Sequence, residues 1–341
     1  MRFLTLCLSL LCVAAFAADD DIQLAANSSG TAVVTGGEQY CLYIHDPTTL
    51  AVTARYRVPR TIGDLAISQD GSRVYMGVPQ RSQAILVADP KNGEIIASIP
   101  ADCGSQALGM RSFLTNQQAN VLLYATNEAF VLIDMDSGET KHSVPRIANL
   151  RGNQAALSVD GKRLVIIGRP ETDESQPTEK PSDDAPYWQY DGKSSPIYDI
   201  NLASGTVTQY KTATNVAGTN TLIIPTADEL RVINYFDSGV TIKPDGTTTP
   251  ISVFKYGYGL GATPDGETYI IGALLSMKLQ LYDVATGTLK ARDMPKPLEG
   301  WPEYFDGIIR MLDDGSYIGT TSSMRIYRLM PDGSCAISKI Y

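Results

Sequence analysis

Between Gly63 and Pro100 the chain reads GDLAISQDGSRVYMGVPQRSQAILVADPKNGEIIASIP, four short apolar runs set apart by polar turns. Leu65–Ile67 gives way to Gln69-Asp70-Gly71, and Val74–Val78 to a polar loop. Ala84–Val87 leads into Asp89–Gly93, and Ile95–Ile99 stops at Pro100. Asp-Gly and Asn-Gly take the positive φ of tight hairpin turns, and the β-branched residues between them favour strands. The pattern predicts a four-stranded antiparallel meander of roughly forty residues.

The pattern recurs. Gly259–Pro295 has the same parts in the same order, with turns at Asp265-Gly266 and Thr286-Gly287. Five more copies align to these two: Leu24–Pro59, Phe113–Pro145, Ala155–Tyr210, Thr221–Phe254 and Ile308–Ile340. A single meander cannot bury both faces of its sheet, whereas a ring of meanders buries both and leaves only short edges. The sequence therefore predicts an all-β fold, a seven-bladed β-propeller of four-stranded antiparallel blades over residues 18–341. The first and last copies each hold four strands of their own, which predicts closure by packing without strand exchange.

Residues LAISQDGSRVYMG…ILVADPKNGEIIASIP and LGATPDGETYIIG…LQLYDVATGTLKARDMP resemble the YVTN-type repeats of secreted bacterial seven-bladed propellers. That repeat implies a scaffold shared by binding proteins, enzymes and enzyme subunits. The Gly-Ala-Leu-Leu…Tyr-Asp-Val-Ala-Thr-Gly run at 272–287 also resembles the propeller subunits of quinone-cofactor amine dehydrogenases. In that family much of the redox chemistry resides in a partner chain.

Met1–Ala17 has a basic Arg2, an apolar Phe3–Ala14 and a small-x-small end at Ala15-Phe16-Ala17, which predicts a signal peptide and a periplasmic or secreted protein. No later apolar run reaches the length of a membrane span. The net charge of −9 is spread along the chain without a basic run, which argues against nucleic acid as a partner. Cleavage would leave Cys41, Cys103 and Cys335. Cys41 and Cys335 fall in blades that would be ring neighbours, so a closing disulfide stands as one reading and buried free thiols as the expected one.

In a propeller the first and third turns of each blade share one face. The second turns and the connectors share the other, around the mouth of the axial channel. The irregular sequence collects on the second face, where function on a rigid scaffold belongs. The insertion 169–193 is acidic and proline-rich and ends in Tyr187, Trp188 and Tyr190. The connector 296–307 brings Trp301, Glu303 and Tyr304, and the connector 255–260 brings Tyr256 and Tyr258. Together these predict an aromatic-rimmed mouth for a small ligand or a protein partner, against the alternative that the rings merely pack between blades.

Four residues before the turn aspartates Asp70, Asp160 and Asp265 stand Ala66, Ala156 and Gly261, small as the crowded axis demands, but before Asp314 of the last blade stands Arg310. Arg111 enters the third blade at a similar level. Each arginine reads first as a structural ion pair, with Asp306 or Asp64 as acceptor for Arg310, and second as an anion binder. Catalytic signals are scarce: His45 and His142 fall in outer-strand regions, and no nucleophile elbow, phosphate loop or dinucleotide fingerprint appears. No cofactor and no metal site is predicted, since Asp183, Asp184 and Asp191 lack the EF-hand spacing. Three functions remain: an exported binding or scaffold propeller, a subunit of an amine-dehydrogenase-type oxidoreductase, and a metal-dependent lactonase-like hydrolase.

Overall fold

The structure, a computed structural model, describes residues 22–37, 40–77, 84–102, 107–109, 111–148, 150, 152–168, 196–211, 221–234, 239–251, 257–273, 278–293, 305–321 and 323–339. All regular structure among them is β. The first two sheets are β1–β4 (Gln23–Ala26, Val33–Gly36, Cys41–His45, Val52–Arg57) and β5–β8 (Asp64–Ile67, Val74–Gly77, Ala84–Ala88, Ile95–Pro100). Next come β9–β12 (Phe113–Asn116, Val121–Ala125, Ala129–Asp134, Thr140–Pro145) and β13–β16 (Gly152–Leu157, Arg163–Gly168, Pro196–Asn201, Val207–Lys211). The fifth is β17–β20 (Thr221–Pro225, Leu230–Asn234, Gly239–Ile242, Thr248–Ile251). Each of these five sheets is an antiparallel meander of consecutive strands, with the first strand at one edge.

The remaining strands depart from the sequence expectation. β21–β24 (Gly257–Ala262, Thr268–Ala273, Lys278–Asp283, Thr288–Asp293) and β25–β28 (Phe305–Met311, Tyr317–Thr321, Arg325–Leu329, Cys335–Lys339) form one eight-stranded sheet instead of two separate ones. Their first strands pair in parallel, Gly259 opposite Gly307 and Leu260 opposite Ile308. Glycine makes this approach feasible. A Cβ on Gly261 would stand 2.0 Å from the Ile309 carbonyl oxygen, well inside any real contact.

Burial grades outward along each meander. The second strands are sealed: β2, β6, β10 and β26 bury every residue, as strands covered on both faces do. The fourth strands are mostly exposed and correspondingly polar, as in Thr140–Pro145. Apolar layers lie between successive meanders. Leu42 meets Leu65 and Val74; Tyr75 meets Phe113 and Leu122; Leu123 meets Leu164 and Ile166. Val165 meets Val232, Ile233 meets Tyr269, and Ile270 meets Phe305 and Tyr327. Val33 and Tyr43 meet Ile318 and Ile326, so the last meander packs back on the first.

Side chains fasten these joints to backbone. Tyr56 donates to the Lys91 carbonyl (2.6 Å), Tyr75 to Met135 (2.7 Å), and Asn116 to Ser158 and Val159 (2.8 Å each). Arg163 reaches Thr226 (2.8 Å), Arg231 reaches Gly266 (2.8 Å), and Arg292 reaches Pro331 (2.7 Å) and Met330. Arg328 closes the circle: Nη1 donates to the carbonyls of Gly30 (3.1 Å) and Pro47 (2.7 Å), Nη2 to Asp314 (2.8 Å) and Nε to Ser316 Oγ (3.1 Å). The same turn aspartates organise the hairpins. Asp70 accepts from the Ser68 hydroxyl (2.7 Å) and the Ser72 N–H (2.9 Å), which leaves Gly71 at φ 71°, a conformation glycine enters freely.

Met1–Ala17, expected to be a signal peptide, the insertion 169–193 and Cys103 lie outside the described residues. Cys41 and Cys335 are both free thiols. Cys41 is buried and accepts a contact from Arg55 Nε, and burial pushes the Cys335 thiol up to about 11, far from a reactive thiolate.

Candidate functional site at the propeller axis

The first strands of the meanders surround the axis, and the two ends of that axis are built differently. At the turn end, polar side chains from four first turns join in a cycle. Gln69 Nε2 donates to Ser28 Oγ (2.6 Å), which donates to Asp313 Oδ2 (2.7 Å). Gln118 Nε2 donates to Asp313 Oδ1 (3.3 Å), and Asn120 on that same turn accepts from the Gln69 N–H (3.0 Å). The Gln118–Asp313 bond links the β9–β10 turn to the β25–β26 turn. Two whole meanders stand between these in sequence around the ring, so the bond spans the end of the axis.

At the connector end, Asp64 opens β5 and is only 4% exposed. Such a carboxylate must be paired to be buried. It accepts from Arg111 Nη1 (3.0 Å) and from the Ser112 N–H (2.6 Å), so the connector entering β9 is clamped to the preceding meander. The Arg111 side chain remains 47% exposed. The expected ion pair thus exists, but Asp64 serves Arg111 and not Arg310.

Arg310 is half-buried on β25, opposite Ile318 on β26. Among the described residues it makes no ion pair or hydrogen bond; Asp64 is not its partner, and the side chain of Asp306, the other acceptor expected for it, lies outside them. Asp64 is taken by Arg111 and the Ser112 N–H. Burial lowers the Arg310 pKa, and the Arg111 charge lowers it further. Arg111 enters β9, three meanders on around the ring, so that influence acts across the axis. Two residues before Arg310, Ile308 is 46% exposed, while Ile309 between them is buried. Arg310 shares its face of β25 with Leu312 and, across the pair, with Ile318, both buried against the first meander, while Ile308 stands in the irregular stretch just before it. Sequence reading found Arg310 but took Ile308 only as the start of the last repeat; the irregular register between Asp306 and Arg310 that leaves it exposed is visible only in the structure.

Of the other predicted site residues, Tyr187, Trp188, Tyr190, Tyr256, Trp301, Glu303 and Tyr304 lie outside the described residues. Tyr258 belongs to β21, and its side chain lies outside them as well. The histidines are placed on outer strands. His45 on β3 is buried, bonded to Thr35 Oγ1 (2.8 Å) and the Leu50 carbonyl (2.9 Å), and His142 on β12 is exposed. Asn27, the only sequon asparagine, is buried with its amide bonded to Thr31 and to the Gln69 carbonyl. Among the described residues no group of three metal-ligating side chains is gathered.

No family model matches the chain, and no curated protein matches it either. Solved structures do. Hydrazine synthase of Kuenenia stuttgartiensis is 14% identical with a TM-score of 0.58, covering 93% of this chain and 94% of that one. The β-propeller domain of Cps50 (Swd1) from Myceliophteria thermophila is 13% identical with a TM-score of 0.54, covering 95% and 98%. At such identities the likeness speaks for architecture alone: the chain has a β-propeller fold.

Proposed function

We propose that this chain is an exported seven-bladed propeller that serves as a binding or scaffold protein, taking a ligand or partner at the connector end of its axis. In this reading the eight-stranded sheet is two blades drawn together by their glycine-rich inner strands. The apolar layers joining each meander to the next, and the last to the first, support that count. One observation carries the functional half: the turn end of the axis is knit by the Gln69–Ser28–Asp313–Gln118 cycle, while Arg111 stands exposed at the other. The aromatic rim of Tyr187, Trp188, Tyr190, Tyr256, Tyr258, Trp301 and Tyr304, with Glu303, belongs to this reading as part of the mouth.

Affinity purification from the organism's own periplasmic or secreted fraction tests it. The wild-type chain should retain a stoichiometric ligand or partner, and Arg111→Glu, Trp188→Ala and Trp301→Ala should lose it with the fold intact. The turn-face control Gln118→Ala should keep it. A partner with quinone-type absorption would make the chain an oxidoreductase subunit. Equal retention by the mouth variants and the control would refute the placement of the site. The mass of the recovered chain tests export, with loss of residues 1–17 expected.

A further inference from the structure

We propose that the axial channel holds a small organic carboxylate, its anionic head on Arg310 and its short apolar chain against Ile308. This rests on the reading above, that the connector end of the axis is the binding end, and names the class of ligand.

Three observations on β25 and its surroundings carry it. First, Arg310 is a guanidinium with five N–H donors and, among the described residues, no acceptor. Every other arginine that fastens a joint of this fold is satisfied. Arg163 is bidentate on Asp199, with Nε to Oδ1 at 3.0 Å and Nη2 to Oδ2 at 2.5 Å, and Arg328 has four acceptors. A half-buried cation to which the described residues offer no counter-charge is costly, and a carboxylate matches its fork in two parallel bonds. Second, the opposite wall adds positive rather than negative charge. Asp64, the carboxylate of that wall, is committed to Arg111 and the Ser112 N–H, and the Arg111 charge already disfavours that of Arg310 across the axis. A bound anion relieves both, in a protein whose overall charge is −9. Third, two residues before Arg310 the strand carries an exposed isoleucine, Ile308, which gives a phosphate or sulfate nothing but an alkyl chain a surface to cover.

Calorimetric titration of the purified chain with sodium hexanoate, acetate, phosphate and hexylamine at constant ionic strength tests the assignment. Hexanoate should bind one to one and more tightly than acetate, by up to about fourfold for each buried methylene. Phosphate and hexylamine should not saturate. Arg310→Met should weaken hexanoate at least tenfold while Tm stays level or rises, and Arg310→Lys should retain part of the affinity. Ile308→Ser should narrow the gap between hexanoate and acetate without weakening acetate. Lys141→Ala, which removes a cation from the outer strand β12, should bind as wild type. Hexylamine binding as well as hexanoate, phosphate binding more tightly, unchanged affinity in Arg310→Met, or no saturation by hexanoate would each overturn the proposal. If it is overturned while Arg111→Glu still sheds a partner that wild type retains, the mouth reading stands without it; if no partner is shed either, both readings go.

Discussion

Arg328 and Arg310 belong to the same sheet, on β27 and β25, and their surroundings are opposite. Arg328 is 7% exposed and spends its donors on Gly30, Pro47, Asp314 and Ser316, tying the last meander to the first. Arg310, on the strand nearest the axis, has none of this among the described residues. The difference separates two uses of one side chain. A guanidinium whose acceptors are backbone carbonyls of the next meander is holding the fold; one left beside an exposed isoleucine on an inner strand is available to something else.

That contrast is most severely tested on the fold-building side. Arg328→Ala strands two carbonyls and Asp314 at the joint where the circle closes, and should lower unfolding free energy by about 2–4 kcal/mol. Urea or thermal unfolding checks it, and Arg328→Lys should recover little, since one ammonium cannot reach four acceptors. Gly261→Ala should follow at about 1–3 kcal/mol, because its Cβ would press on the Ile309 carbonyl and force β21 and β25 apart. Loss limited to a few tenths would mean the parallel pairing is not what joins these two meanders.

A pH titration sharpens the same side. Burial lowers the pKa of His45 below its ordinary 6.5, only partly offset by the Leu50 carbonyl. The folded state thus binds the proton less readily than the unfolded chain. This contribution is whole above pH 6.5 and is lost as pH falls from there through the lower folded value. Wild-type stability should decline across that window, and His45→Gln should flatten the decline. The smallest effect belongs to Gln118→Ala. Its bond to Asp313 is long and exposed, so the loss should stay within about 0.5 kcal/mol.

The meanders were legible in the sequence because their grammar is local. Asp70-Gly71 and Asp160-Gly161 turn the chain through contacts within a few residues, and the sealed second strands read as unbroken apolar runs. The fusion of β21 with β25 was not legible, because it depends on how closely two backbones far apart in sequence approach. Counting back from the turn aspartate placed Arg310 on an inner strand. Whether Asp64 would neutralise Arg310 or Arg111 could not be read in that way, since it is decided by which side chain reaches across a closed ring. The Gln69–Ser28–Asp313–Gln118 cycle escaped notice for the same reason: its members are ordinary turn residues until closure brings them together.

The most direct test compares unfolding of wild type and Arg310→Met with and without saturating hexanoate. A ligand that binds only the folded state stabilises it in proportion to the logarithm of its excess over Kd. Without ligand, Arg310→Met should be at least as stable as wild type. With hexanoate, only wild type should gain, by about 2–3 kcal/mol at a hundredfold excess over Kd. If Arg310→Met instead loses stability as Arg328→Ala does, and hexanoate shifts neither protein, then both arginines hold the fold and the distinction drawn between them is wrong.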